Sequence, residues 1–228
     1  MPDRLWYLKQ INIFSQMDEA MFRQLNDMMV EKTLQKKAIV YMPDDPSEYV
    51  YCLKRGRVKI SKISEEGKEI TITILEPGEI FGELSLIDSG PRETIAEVID
   101  DAYLCIVRRT DFERLMAQAP DMALRVTKLI GLRLRAIENK MEDLVFRDVP
   151  ARLARLLLRL AHDHGKPAPS GGTLIDLKLS QHEFACLIGS TRETTSLFLN
   201  EFKRDGLIDL VHRRIVVLDP HSLEARGV

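Results

Sequence analysis

The sequence predicts an α+β fold: a small antiparallel β-barrel or sandwich, then one long amphipathic helix, then a helical unit closing in a β-hairpin. Three observations carry this. Up to about Thr110, short Val-, Ile- and Tyr-rich segments alternate apolar and polar residues between turn signals. From Ile130 to Leu144 apolar residues recur at steps of four and three. Beyond Asp148 helical spacing resumes under clear capping signals, and strand patterning returns only near the end. With 228 residues, 45% hydrophobic and 30% charged, the chain has the composition of a globular protein with one or two cores, and a disordered or fibrous chain is excluded.

The first region opens with a helix from Asp18 to Val30, its apolar positions being Met21, Phe22, Leu25, Met28 and Met29. Strands follow over Ala38 to Tyr41, Tyr49 to Leu53, Val58 to Ile63, Ile70 to Leu75 and Ala102 to Val107. Arg55-Gly56-Arg57, Glu66-Gly67 and Pro77-Gly78 read as the turns between them. Within this pattern, Phe81-Gly82-Glu83-Leu84 followed by Gly90-Pro91-Arg92 resembles the phosphate-binding cassette of cyclic-nucleotide-binding domains. The chemistry is readable in the residues. Gly82 lets backbone amides approach an anion, Glu83 can accept from ribose hydroxyls, and Arg92 offers a guanidinium to a phosphate. Thr94 can add a hydroxyl. Glu93, directly after the arginine, suits a phosphate only if it points away. A simpler reading makes Glu83 and Arg92 an ion pair beneath a short helix.

A long helix is expected from Asp111, as N-cap, to Phe146. Its seam of Ile130, Leu134, Ile137, Met141 and Leu144 has the heptad spacing of a two-stranded coiled coil, and Arg133, Arg135, Glu138, Lys140, Glu142 and Asp143 are expected on the solvent face. The alternative is a single amphipathic helix packed on its own barrel.

Asp148 and Pro150 start the next helix, and Gly165 to Gly172 reads as a loop. Ser180 with Glu183 is a capping box, Gly189 supplies a turn, and Ser190 or Thr191 caps a second helix that opens with Arg192-Glu193-Thr194. This is a helix-turn-helix. Arg192 can read guanine and Glu193 cytosine, while Gln181 and Thr191 suit phosphate contacts. Leu207 to Leu210 and Ile215 to Leu218 flank His212-Arg213-Arg214 as a wing with a basic tip.

Barrel, cassette, long helix and winged helix-turn-helix, in this order, resemble the CRP/FNR superfamily of bacterial transcription regulators, and the resemblance covers essentially the whole chain. It implies a jelly-roll sensory domain over 1–110, a dimerisation helix and hinge over 111–147 and a DNA-binding domain over 148–228. It implies an effector site at Phe81, Gly82, Glu83, Leu84, Arg92 and Thr94, with Ile137 and Glu138 facing the purine. Ile137 cannot hydrogen-bond an adenine amine, whereas Glu138 can accept from one. It also implies a DNA surface led by Arg192 and Glu193, with Ser190, Thr191, Thr195, Ser196, Leu197, Arg213 and Arg214. Leu197 stands where cyclic-AMP members carry an arginine, and a leucine can touch a thymine methyl instead. The expected partners are a pseudo-palindromic operator, a second copy of the chain and RNA polymerase, with activation as the outcome. No cofactor is required, and a cyclic nucleotide such as cAMP is the candidate effector. The alternatives are a regulator whose nucleotide pocket is vestigial, or a cyclic-nucleotide-binding protein acting on a protein partner.

Charge neither supports nor opposes this assignment. The net charge is -2, and the segment from Ala151 onward holds eleven Lys and Arg against nine Asp and Glu. Cys52, Cys105 and Cys186 are scattered, with no zinc or iron-sulfur spacing, and His162-x-His164 reads as surface, so no metal centre and no enzyme is expected. No signal peptide or membrane span is expected, which points to a cytoplasmic protein.

Overall fold

The computed structural model describes residues 12–14, 17–88, 90–169, 171–211 and 214–227. Their contacts divide into two compact units, one within Met1–Lys68 and Ile72–Arg135, the other within Glu69–Thr71 and Ala136–Val228.

The first unit begins with a 3-10 turn at Asn12–Phe14 and helix α1, Glu19–Met28, whose N-cap Asp18 accepts from the Met21 amide at 2.8 Å. Six strands follow along the chain: β1 Val30–Leu34, β2 Ile39–Tyr41, β3 Tyr49–Ile63, β4 Glu69–Leu75, β5 Ile80–Phe81 and β6 Ile95–Arg108, the first three residues of β4, Glu69–Thr71, counting with the second unit. They form one antiparallel sheet in the order β1-β6-β3-β4, with β2 on β6 and β5 on β3. Inside it Tyr41, Tyr51, Leu53, Val58, Leu75, Phe81 and Leu104 make one apolar cluster. A second cluster joins Phe14, Phe22, Leu25, Val50, Ile80, Val107 and Phe112 beneath the helices. Each such fully buried aromatic or leucine side chain contributes about 1.5–3 kcal/mol of transfer free energy.

The sheet differs from the sequence expectation where a glycine reads as a turn. Arg55-Gly56-Arg57 does not separate two strands; β3 runs through it, and the register against β6 shifts there. Gly56 has φ +83°, and a β-carbon on it would lie 2.3 Å from the carbonyl oxygen of Asp101, so this is a bulge that only glycine fits. Val30 starts β1 rather than ending α1.

Helix α2, Arg109–Gln118, starts without a side-chain cap, so Asp111 lies in its first turn and is not its N-cap. Helix α3, Pro120–Phe146, is a separate helix because a proline has no amide to donate and fits a first turn.

In the second unit, α4 spans Val149–His164, with Asp148 accepting from the Ala151 amide at 3.0 Å. The stretch expected as loop holds β7, Gly165–Pro167, and β8, Thr173–Ile175, strands too short to show a period. Helices α5, Gln181–Ile188, and α6, Arg192–Arg204, precede β9, Ile208–Val211, β10, Arg214–Val217, and α7, Pro220–Ala225. The four short strands form a sheet in the order β7-β8-β10-β9, so the wing is wider than a lone hairpin. Among the described residues no helix is long and apolar enough to cross a membrane.

Candidate effector cassette and DNA interface

Gly82 takes φ +74° and starts a 3-10 turn over Glu83–Leu86, the backbone that the cassette reading requires. Glu83 and Arg92 are both buried, at 4% and 6% exposure, and each is bound to protein. They do not pair with each other. Glu83 accepts from the Arg133 guanidinium at 2.7 Å, and Arg133 also donates to the carbonyl of Ile80 at 2.6 Å. Arg133 is therefore spent on the cassette and does not face solvent as expected.

Arg92 donates to the carbonyl of Gly82 at 2.9 Å and to that of Tyr49. Its guanidinium rests 4.6 Å from the centre of the Tyr41 ring and 5.9 Å from that of Tyr51. Tyr51 stacks on Phe81 at 5.0 Å, and Tyr41 lies 5.7 Å from Tyr51, so the expected pocket residue Phe81 belongs to a closed aromatic group. Burial raises the Tyr41 and Tyr51 phenol pKa values, and a hydrogen bond from Thr94 and the nearby Arg92 charge partly offset this at Tyr41. A β-carbon on Gly82 would lie 3.0 and 3.1 Å from the Arg92 nitrogens, so the face of Gly82 open to a ligand is covered by the arginine itself. Glu93 points outward and pairs with Lys62 at 2.9 Å. Leu84 is exposed; Ile137 and Glu138 are exposed on α3.

The helix-turn-helix forms as its capping signals dictate. Ser180 Oγ accepts from the Glu183 amide at 3.2 Å, and the Glu183 carboxylate accepts from the Ser180 amide at 2.6 Å. Gly189 ends α5 in the left-handed region at φ +63°. Arg152 on α4 donates to the carbonyls of Ile188 and Gly189 at 2.9 and 3.3 Å, so the orphan acceptors of the turn are filled from below. Thr191, not Ser190, caps α6, accepting from the Thr194 amide at 3.2 Å.

Leu199, Phe202 and Thr195 bury one face of α6. Thr195 is fully buried and its hydroxyl donates to the carbonyl of Thr191 at 2.8 Å, so it cannot reach DNA as expected. The other face presents Arg192, Glu193 and Leu197, the leucine 62% exposed, with Ser196 half-buried beside them. Asn200 is exposed one turn beyond Ser196; its i+4 spacing was the sequence signal for it. Gln181 and Ser190 are half-buried at the start of α5 and in the turn. Arg214 is paired with Asp176 at 3.3 Å at the start of β10, so it is not a free wing-tip cation, and Arg213 lies outside the described residues.

The expected seam divides. Leu134, Ile137 and Met141 are exposed at 56%, 40% and 60%. Ile130 packs on the core of the first unit, and Leu144 is half-buried, close enough to Gly189 that a β-carbon there would lie 2.7 Å from it.

A regulatory cassette followed by a helix-turn-helix with an exposed polar recognition face defines a DNA-binding transcription regulator. Comparison with known proteins agrees. Residues 31–119 match the cyclic nucleotide-binding domain, and residues 151–226 match the Crp-like helix-turn-helix domain. A CRP-like cAMP-activated global transcriptional regulator of Mycobacterium tuberculosis is 30% identical over 96% of this chain and 98% of its own. A global nitrogen regulator of Synechocystis is 34% identical over 90% of this chain and 92% of its own. The structure of a CooA mutant from Carboxydothermus hydrogenoformans superposes with a TM-score of 0.78 at 26% identity, covering 100% of this chain and 97% of that one. The chain belongs to the CRP/FNR family of transcription regulators, which are not enzymes.

Proposed function

We propose that the chain is a homodimeric regulator of a pseudo-palindromic operator whose cassette is held shut by its own side chains, so that DNA binding needs no cyclic nucleotide. The observation that carries this is Arg92: buried, bound to two backbone carbonyls and stacked on Tyr41, it occupies itself with the protein in place of a phosphate. Glu83 is likewise satisfied by Arg133, so a ribose would have to displace a buried ion pair. Arg192, Glu193 and Asn200 suit guanine, cytosine and adenine edges in the major groove, with Leu197 against a thymine methyl. The exposed Leu134, Ile137 and Met141 support a dimer of this kind, which would read two half-sites about 34 Å apart, one turn of DNA. Activation through RNA polymerase rests on the family resemblance, and in vitro transcription from a promoter carrying the operator tests it.

Calorimetric titration of the full chain with cAMP and cGMP, beside operator binding with and without each, tests the closed cassette. No heat and unchanged operator affinity are expected. A nucleotide-gated reading has its own support: the Arg92 Nε is buried without a hydrogen-bond partner, a donor that a phosphate oxygen would satisfy if it displaced the groups that cover it. Saturable binding lost in Arg92→Ala and coupled to tighter DNA binding would replace the closed-cassette reading with that one.

A further inference from the structure

Glu69 and Cys186, 117 residues apart, meet within the second compact unit, and His182 joins them. Cys186 Sγ lies 3.5 Å from His182 Nε2 and 3.9 Å from Glu69 Oε2, and the same carboxylate oxygen lies 3.7 Å from His182 Nε2. A tetrahedral zinc ion, with bonds of about 2.0–2.3 Å, sets its ligand atoms about 3.4–3.6 Å apart. The observed triangle is within a few tenths of an ångström of that. Positions four apart on α5 place His182 and Cys186 on one face, and the Ser180–Glu183 capping box fixes the helix that carries them.

We infer that Glu69, His182 and Cys186 form a three-ligand site for a zinc-class divalent cation, with the fourth position left to water. The donor set decides the class. A thiolate with an imidazole selects a borderline metal, whereas magnesium and calcium take oxygen ligands alone. The charges fit as well, since a thiolate and a carboxylate together neutralise a dication. Cys186 is buried and His182 is exposed, so the softest ligand is sheltered from oxidation while the imidazole side leaves a path for the ion. Metal occupancy would tie the first helix of the helix-turn-helix to Glu69, giving the DNA-binding element a metal-dependent stability. Binding deprotonates the thiol and releases a proton to solvent.

The test is titration of the metal-free full-length chain with Co2+, followed by displacement with Zn2+ in competition with a chromophoric chelator. One equivalent per chain, with a sulfur-to-cobalt charge-transfer band and tetrahedral d–d absorption, is expected. Cys186→Ser should abolish the sulfur band. His182→Ala, at an exposed position that leaves packing intact, should weaken zinc binding at least about ten-fold, or ~1.4 kcal/mol. A double His162→Ala, His164→Ala variant should bind as the parent does, which separates this site from surface histidines. Absence of stoichiometric binding, a cobalt spectrum without a sulfur band, or affinity unchanged in His182→Ala would overturn the site and leave a hydrogen-bonded thiol in its place.

Discussion

Replacing Arg92 by alanine would remove the charged donor from the carbonyls of Gly82 and Tyr49 and the cation from the Tyr41 ring. Hydrogen bonds from a charged group contribute about 1.5–3 kcal/mol each at most, and the Gly82 carbonyl keeps Ser85 Oγ as a donor at 2.7 Å. The ligand-free protein should therefore lose on the order of 2 kcal/mol of stability, read as a lower urea midpoint at unchanged m-value. An arginine kept only to meet a ligand would behave in the opposite way. Its removal would leave the ligand-free midpoint where it was, or raise it, because residues held for function commonly cost stability. A midpoint that does not fall would thus remove the physical basis of the self-closed cassette.

Along α6, burial separates residues that the sequence presents as equals. Arg192 is exposed in the first turn, whereas Thr195 is buried with its hydroxyl on the carbonyl of Thr191. Arg192→Ala should cost about 1–3 kcal/mol of specific binding and relax base choice at one operator position, as selection from a randomised operator library would show. Thr195→Ala should leave the selected sequence unchanged and lower folding stability by about 1 kcal/mol. A shifted base preference in Thr195→Ala would mean that the α6 face has been assigned wrongly. The same contrast shows what the sequence can carry. Caps and turns are local, so the Ser180–Glu183 box, the Gly189 turn and the Asp148 start are read directly from neighbouring residues. Gly56 misleads because a positive-φ glycine serves a bulge as well as a turn, and only the pairing of β3 with β6 tells them apart. Strands of three residues, such as β7 and β8, are too short to display alternation at all. The cassette motif is legible, but its partner Arg133 is not. Nothing local to a residue on a charged helix flank marks it as the ion that satisfies a buried glutamate 50 positions earlier.

For the whole molecule, the exposed leucine, isoleucine and methionine on α3 are the decisive feature. Leu134, Ile137 and Met141 repeat at steps of three and four, and three large apolar side chains at 40% to 60% exposure on one helix face are a cost that a second copy would remove. The ends of the seam are already engaged within the chain, Ile130 on the barrel core and Leu144 beside Gly189, so the interface should centre on these three residues. The double variant Leu134→Glu, Met141→Glu would place like charges opposite one another across the two-fold axis of the proposed dimer and should sediment as a monomer with intact helical circular dichroism. Its operator affinity should fall by about two to four orders of magnitude, because a monomer loses the effective concentration that joins two half-site contacts. Binding to a single half-site should change little, since the variant leaves α6 untouched. If the double variant still sediments as a dimer, the seam is not the interface. If it is monomeric yet binds the full operator as tightly as the parent, the two-helix reading of a palindrome fails, and the regulator would have to recognise its site through one recognition helix and the wing alone.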